Sequence, residues 1–98
     1  MLLDGLYTVL NANETEANVL LSDENHPVFK AHFPQKPILP GFVHLEIIAD
    51  VFNLQIQEVK KAKYTELVLP SQTLQYIKNA NKITVKSSDK DVASFTLV

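Results

Sequence analysis

His32, in the stretch AHFP, and Glu46, in FVHLE, set an imidazole and a carboxyl on either side of a proline-rich segment. An imidazole titrates near neutrality and suits general-base work. A carboxyl on a mostly apolar helix is desolvated, which raises its pKa and keeps a proton ready to donate. Asp50, one turn beyond Glu46, pushes the same way if both face one cavity, because two nearby anions disfavour each other. Between base and acid, Pro40–Gly41 opens a helix whose first N–H groups have no intrahelical acceptor. Glycine there lets a ligand approach the backbone closely, so Gly41 can offer an N–H to a developing oxyanion. A base, an acid and an oxyanion donor suit proton abstraction beside a carbonyl with loss of a protonated leaving group, as in β-elimination of water. The same residue types also describe a hydrogen-bonded loop histidine and a partly exposed helix carboxylate. Composition and spacing leave both readings open.

The elements that must position these groups follow from the local pattern. GLYTVL (5–10) and EANVLLS (16–22) are short, apolar and β-branched, separated by the turn-prone NANET, and predict two antiparallel strands. Residues 26–38 carry Pro27, Pro34 and Pro37 and read as an ordered loop, stiff enough to hold something in place. LPGFVHLEIIADVFNL (39–54) predicts a helix, with Pro40 in the first turn, where its missing N–H costs nothing. Glu46, Asp50 and Asn53 form one narrow polar stripe on it, so most of its circumference is expected to be buried. Strands follow at 58–69, 73–79, 82–88 and 92–98, with PSQ, NAN and DKD as turns. The sum is an α+β layout: a sheet of five or six strands with one central helix, in a single domain over residues 1–98. One helix covers one face, and the rest of the sheet invites a second copy of the chain.

Composition narrows the function classes. All nine cations are lysine, and the net charge is −2. Without arginine or a long basic run, nucleic-acid binding is not expected. The chain has no cysteine, hence no disulfide and no thiolate chemistry, which suits the cytoplasm. MLLDGLYTVL lacks the basic head and long apolar core of a secretory signal, and no apolar run is long enough to span a membrane. His44, two residues before Glu46, points elsewhere on the helix and reads as a packing or interface histidine. His26 reads as a loop residue before Pro27.

AHFPQKPILPG followed by FVHLE closely resembles the hallmark of the β-hydroxyacyl-(acyl carrier protein) dehydratases of the FabZ/FabA type, a GHFPxxPxxPG loop followed by xLxxE/D. The strong match covers residues 26–50, with a weaker echo in KKAKYTELVLPSQTL. The resemblance implies the hot-dog fold, a curved antiparallel sheet wrapped around one helix. It implies a homodimer, possibly a higher oligomer, with each active site at the interface and its histidine and acid from different chains. It implies His32 as catalytic base, Glu46 as catalytic acid and the Gly41 N–H as the group that holds the thioester carbonyl. The substrate would be a (3R)-hydroxyacyl group on acyl carrier protein, dehydrated to a trans-2-enoyl thioester in fatty-acid or specialised acyl or polyene synthesis. No metal or other cofactor is implied. Phe29, Phe33 and Phe42 are candidates to line an acyl tunnel, a role compatible with core packing. Two positions depart from the pattern: Ala31 replaces the usual glycine, and Asp50 the usual glutamine that can hydrogen-bond the acid, which makes Asp50 a candidate modulator of Glu46. The chain also starts without the segment that full-length bacterial dehydratases carry before their first strand, which fits a short, stand-alone variant. A thioesterase or hydratase, or a non-catalytic hot-dog dimer partner, would share the same frame.

Overall fold

Alternation along four strands builds one apolar wall. Ala17, Val19 and Leu21 are buried on β2 (Glu16–Leu21), Leu74 and Tyr76 on β4 (Thr73–Asn79), Ile83 and Val85 on β5 (Lys82–Ser87), and Ala93, Phe95 and Leu97 on β6 (Lys90–Leu97). Antiparallel register sets them side by side: Ala17 opposite Tyr76, Val19 opposite Leu74, Tyr76 opposite Val85, and Ile83 opposite Phe95. Side chains two apart share a face, so this register commits these buried residues to the same side, while Leu20 points away and is exposed. With β1 (Tyr7–Ala12) and β3 (Val59–Tyr64) the computed structural model, which describes residues 4–32 and 35–98, forms one six-stranded sheet in the order β1-β2-β4-β5-β6-β3. The curved sheet and its helix make the hot-dog architecture.

The central helix is α2 (Val43–Val51). It buries Val43, His44, Ile47 and Ile48, while Phe42, Glu46 and Asp50 are exposed and Leu45 and Ala49 half-buried. The cover expected around most of its circumference therefore extends over one stripe only, because a single sheet can wrap only the side it faces. Burying such aliphatic side chains contributes roughly 1.5–3 kcal/mol each. The helix is also shorter than residues 39–54. Its entry is a tight turn, with the Val43, His44 and Leu45 N–H groups donating to the Pro40, Gly41 and Phe42 carbonyls. Its exit is a Schellman motif: Asn53 takes φ 52° and donates to the Asp50 carbonyl, and Leu54 donates to that of Ala49.

Residues 26–38 contain a short helix, α1 (Pro27–His32), where a loop was expected. Six residues are too few for a periodic signal. Pro27 suits a first helical position, and His26 caps it: the Val28 N–H donates to Nδ1 at 3.1 Å, while Nε2 lies 2.7 Å from the Asp4 carbonyl oxygen. His26 is therefore a buried capping histidine rather than a free loop residue. β3 stops at Tyr64, five residues short of the expected end. Thr65 and Glu66 there both donate to the Val92 carbonyl, and the chain leaves the ladder. The Leu39 N–H donates to the Val68 carbonyl at 2.8 Å and ties the entry of α2 to that irregular connection. The β5–β6 turn has Ser88 and Asp89 both at positive φ (52° and 64°), the signature of a type I′ hairpin. Among the described residues no helix is long and apolar enough to cross a membrane.

Candidate active site: two clefts along one helix

The side of α2 that carries Glu46, Ala49 and Asp50 faces β1 across an open cleft of about 710 Å³, whose far wall includes Tyr7 and Val9. Register explains why they point inward: Tyr7 lies opposite Leu21 and Val9 opposite Val19, both core positions. Val9 is nevertheless 45% exposed while Val19 is fully buried, so the cover over β2 stops before β1. The Tyr7 hydroxyl donates to Asp50 Oδ2. Burial first, then this hydrogen bond and the Asp50 charge, push the Tyr7 phenol pKa up and keep it a donor. Asp50 is thus held by a strand residue. Glu46 is exposed, so the apolar enclosure expected around its carboxyl is not supplied by this chain alone.

A second, smaller cleft of about 380 Å³ opens at the entry of α2, between Gly41, Phe42 and His44 on one side and Tyr64, Leu67 and Val68 on the other. The Tyr64 ring sits on Gly41: a Cβ there would come within 2.6 Å of Tyr64 Cε1. Only glycine allows the ring that position, where its edge also meets Phe95 at 5.6 Å between centroids. The Gly41 carbonyl accepts the His44 N–H, while its own N–H has no acceptor among the described residues. His44 is 2% exposed, with Nδ1 2.8 Å from the hydroxyl of the fully buried Tyr76. Burial pushes the His44 pKa down to about 4, so the imidazole is neutral at physiological pH.

Gly41 and Glu46 therefore open into different clefts. Gly41 lies in the turn before α2 and Glu46 on its first turn, facing the other cleft, and one chain does not bring them together. The His32 and Ala31 side chains and the whole of Phe33 lie outside the described residues. Phe29 is fully enclosed in the core, whereas Phe42 is 47% exposed and borders the second cleft. Sequence reasoning passed over all three tyrosines. Yet each meets a polar or backbone position of the helix region: Tyr7 at Asp50, Tyr64 at Gly41 and Tyr76 at His44. Tyrosine in a strand reads as an ordinary β-former. The available signal was its place in the inward alternation, which only known register converts into a partner. Among the described residues no group of histidine and acidic side chains could hold a metal.

A hot-dog sheet, a helix with an exposed acid, a glycine N–H before it that has no acceptor among the described residues, and the AHFPQKPILPG loop fit the class of the hot-dog dehydratases. Residues 10–96 match the ApeI-like family model, described as ApeI dehydratase, and the chain belongs to that family. It is similar to a 3-hydroxyacyl-[acyl-carrier-protein] dehydratase FabZ of Idiomarina loihiensis, 31% identical over 88 residues, covering 74% of this chain and 55% of that one. The chain spans about half the length of the curated relatives it matches. Its fold is that of the dehydratase heterocomplex ApeI:P from Xenorhabdus doucetiae, with a TM-score of 0.66 at 18% identity over 93% of this chain and 95% of that one. A mutant of a hypothetical thioesterase protein from Streptococcus pneumoniae TIGR4 shares it at a TM-score of 0.54 and 11% identity, over 93% and 88% of the two chains.

Proposed function

We propose that the chain dehydrates 3-hydroxyacyl thioesters carried on acyl carrier protein, as a homodimer whose sites are completed across the interface. The observation that carries this reading is the separation of Gly41 and Glu46 into two clefts beside one helix. A second copy that sets its Glu46 cleft against the Gly41 cleft of the first completes a site. It also covers Glu46 and the exposed Phe42. His32 takes the proton from C2, and the C2–H electrons pass into an enolate, whose oxygen accepts the Gly41 N–H while the charge builds there. They return to form the C2=C3 bond as the C3–O bond breaks, and Glu46 from the other chain protonates the departing hydroxyl, which leaves as water. The balance moves one proton and one hydroxide with no change of oxidation state, so it calls for no redox group or other cofactor. The FabZ relatives support the substrate class, and the loop match supports the roles of His32 and Gly41.

The test is mass spectrometry of a 3-hydroxyacyl-carrier protein incubated with wild type and with His32→Ala. Loss of one water with wild type, slowed at least about a hundredfold in the variant, is the expected result. An unchanged substrate across short and long acyl chains would sink the reading in favour of a non-catalytic partner. Release of the whole acyl group would instead establish the thioesterase reading, which the shared fold of the Streptococcus protein keeps in play. The ApeI:P heterocomplex makes a different partner chain the alternative to a second copy, and sedimentation of the purified protein separates the two.

A further inference from the structure

The Tyr76 hydroxyl has one hydrogen-bond partner among the described residues, His44 Nδ1, and the side chain is fully buried. A neutral imidazole carries one proton, on either nitrogen. If Nδ1 carried it, Nδ1 would donate to the phenol oxygen, and the Tyr76 proton would be left in the core with no acceptor. Such an orphan is costlier than the alternative, so Tyr76 donates to Nδ1 and the imidazole proton sits on Nε2. Nε2 itself has no described partner. No buried side-chain nitrogen or oxygen among the described residues lacks one, so Nε2 is not sealed in, and His44 lines the second cleft. That cleft is mostly apolar, and its one acidic neighbour, Glu66, is drawn to Lys90 at 3.0 Å. His44 and Gly41, three residues apart, therefore border the same small cleft.

We propose that the His44 Nε2–H is a second hydrogen-bond donor to the substrate's thioester oxygen, acting beside the Gly41 N–H, and that Tyr76 is the positioning residue that sets its tautomer. The inference deepens the thioester reading above and rests on it. Two converging donors in an apolar pocket stabilise a developing oxyanion far better than one. A buried imidazole that stays neutral donates without surrendering its proton, which suits an electrophile and rules His44 out as the base: Nδ1 is occupied and Nε2 is protonated.

The experiment binds carbonyl-¹³C hexanoyl-pantetheine, which has no 3-hydroxyl to lose, to the intact protein. It reads the thioester carbonyl stretch by isotope-edited infrared spectroscopy and the exchange of the C2 protons in D₂O. Wild type is expected to lower the stretch relative to free ligand. His44→Phe should recover most of the free value and slow C2 exchange by about a hundredfold. His44→Gln, which keeps an N–H near the same place, should restore part of both. Tyr76→Phe leaves the ring packing in place, so it covers the case in which His44→Phe does not fold. Its ¹⁵N spectrum should show loss of the single Nε2–H tautomer and the stretch should move toward the free value. An equal shift in wild type and in the His44 and Tyr76 variants overturns the role of His44 while leaving the thioester site standing. No bound-state shift even in wild type overturns the thioester reading, and this inference with it.

Discussion

The two clefts beside α2 differ in almost every physical respect. The one at Glu46 is broad and open, and its carboxylate is exposed. The one at Gly41 is about half that volume, mostly apolar, and backed by a histidine that is 2% exposed. The acid sits where substitution disturbs little packing, whereas the buried donor is woven into the core through Tyr76. Chemistry and stability should therefore separate on one side of the helix and travel together on the other.

Glu46→Gln is the sharpest test of the open side. Activity should fall about 10²- to 10⁴-fold, while unfolding free energy changes by less than about 0.5 kcal/mol. Mixing this variant with His32→Ala should recover on the order of a quarter of wild-type activity, since mixed dimers carry one intact site each. No recovery after subunit exchange is verified would contradict a shared site.

On the closed side the largest expected effect is pH dependence. The folded-state pKa of His44 is pushed from the ordinary 6.5 down to about 4 by burial. Between these values the unfolded chain binds a proton that the folded chain refuses. Stability from this source is complete above pH 6.5, falls as the pH drops toward 4, and levels off below. The loss totals up to about 3 kcal/mol. Urea titrations across that window should show it in wild type, and His44→Gln should have a flatter profile; parallel profiles would remove His44 as the cause.

Gly41→Ala should cost about 1 kcal/mol, at the low end of overpacking because the half-exposed Tyr64 ring can swing aside. In a Tyr64→Ala background that cost should vanish, and a double-mutant cycle reads the difference. Smallest of all, Tyr7→Phe removes the partly exposed hydrogen bond to Asp50 and should lower stability by about 1 kcal/mol or less, measured by thermal unfolding. A larger loss would mean that this bond anchors β1 to the helix.

Local patterns were readable where local physics decides them. β4 lies where alternation and turn residues put it, and β5 and β6 nearly so. The helix was legible at its centre and not at its ends. Its stop at Asn53 depends on one left-handed residue and two backbone hydrogen bonds that neighbouring apolar residues conceal. Gly41 was picked out as a ligand-facing glycine from its place before the helix. That a tyrosine ring needs the same space belongs to β3, more than twenty residues away.

By itself the sequence determined the periods of its segments, the loop motif and the types of group available for chemistry, because these depend on neighbours within a few residues. The register between strands decided the rest. It turned three ordinary tyrosines toward the helix region, held Asp50 by Tyr7, and buried His44 against Tyr76. It also left Glu46 and Gly41 in different clefts, since a single sheet can enclose only the face it wraps. The two hydrogen bonds, Tyr7 to Asp50 and His44 to Tyr76, join residues 43 and 32 positions apart, and only the folded sheet brings them within reach.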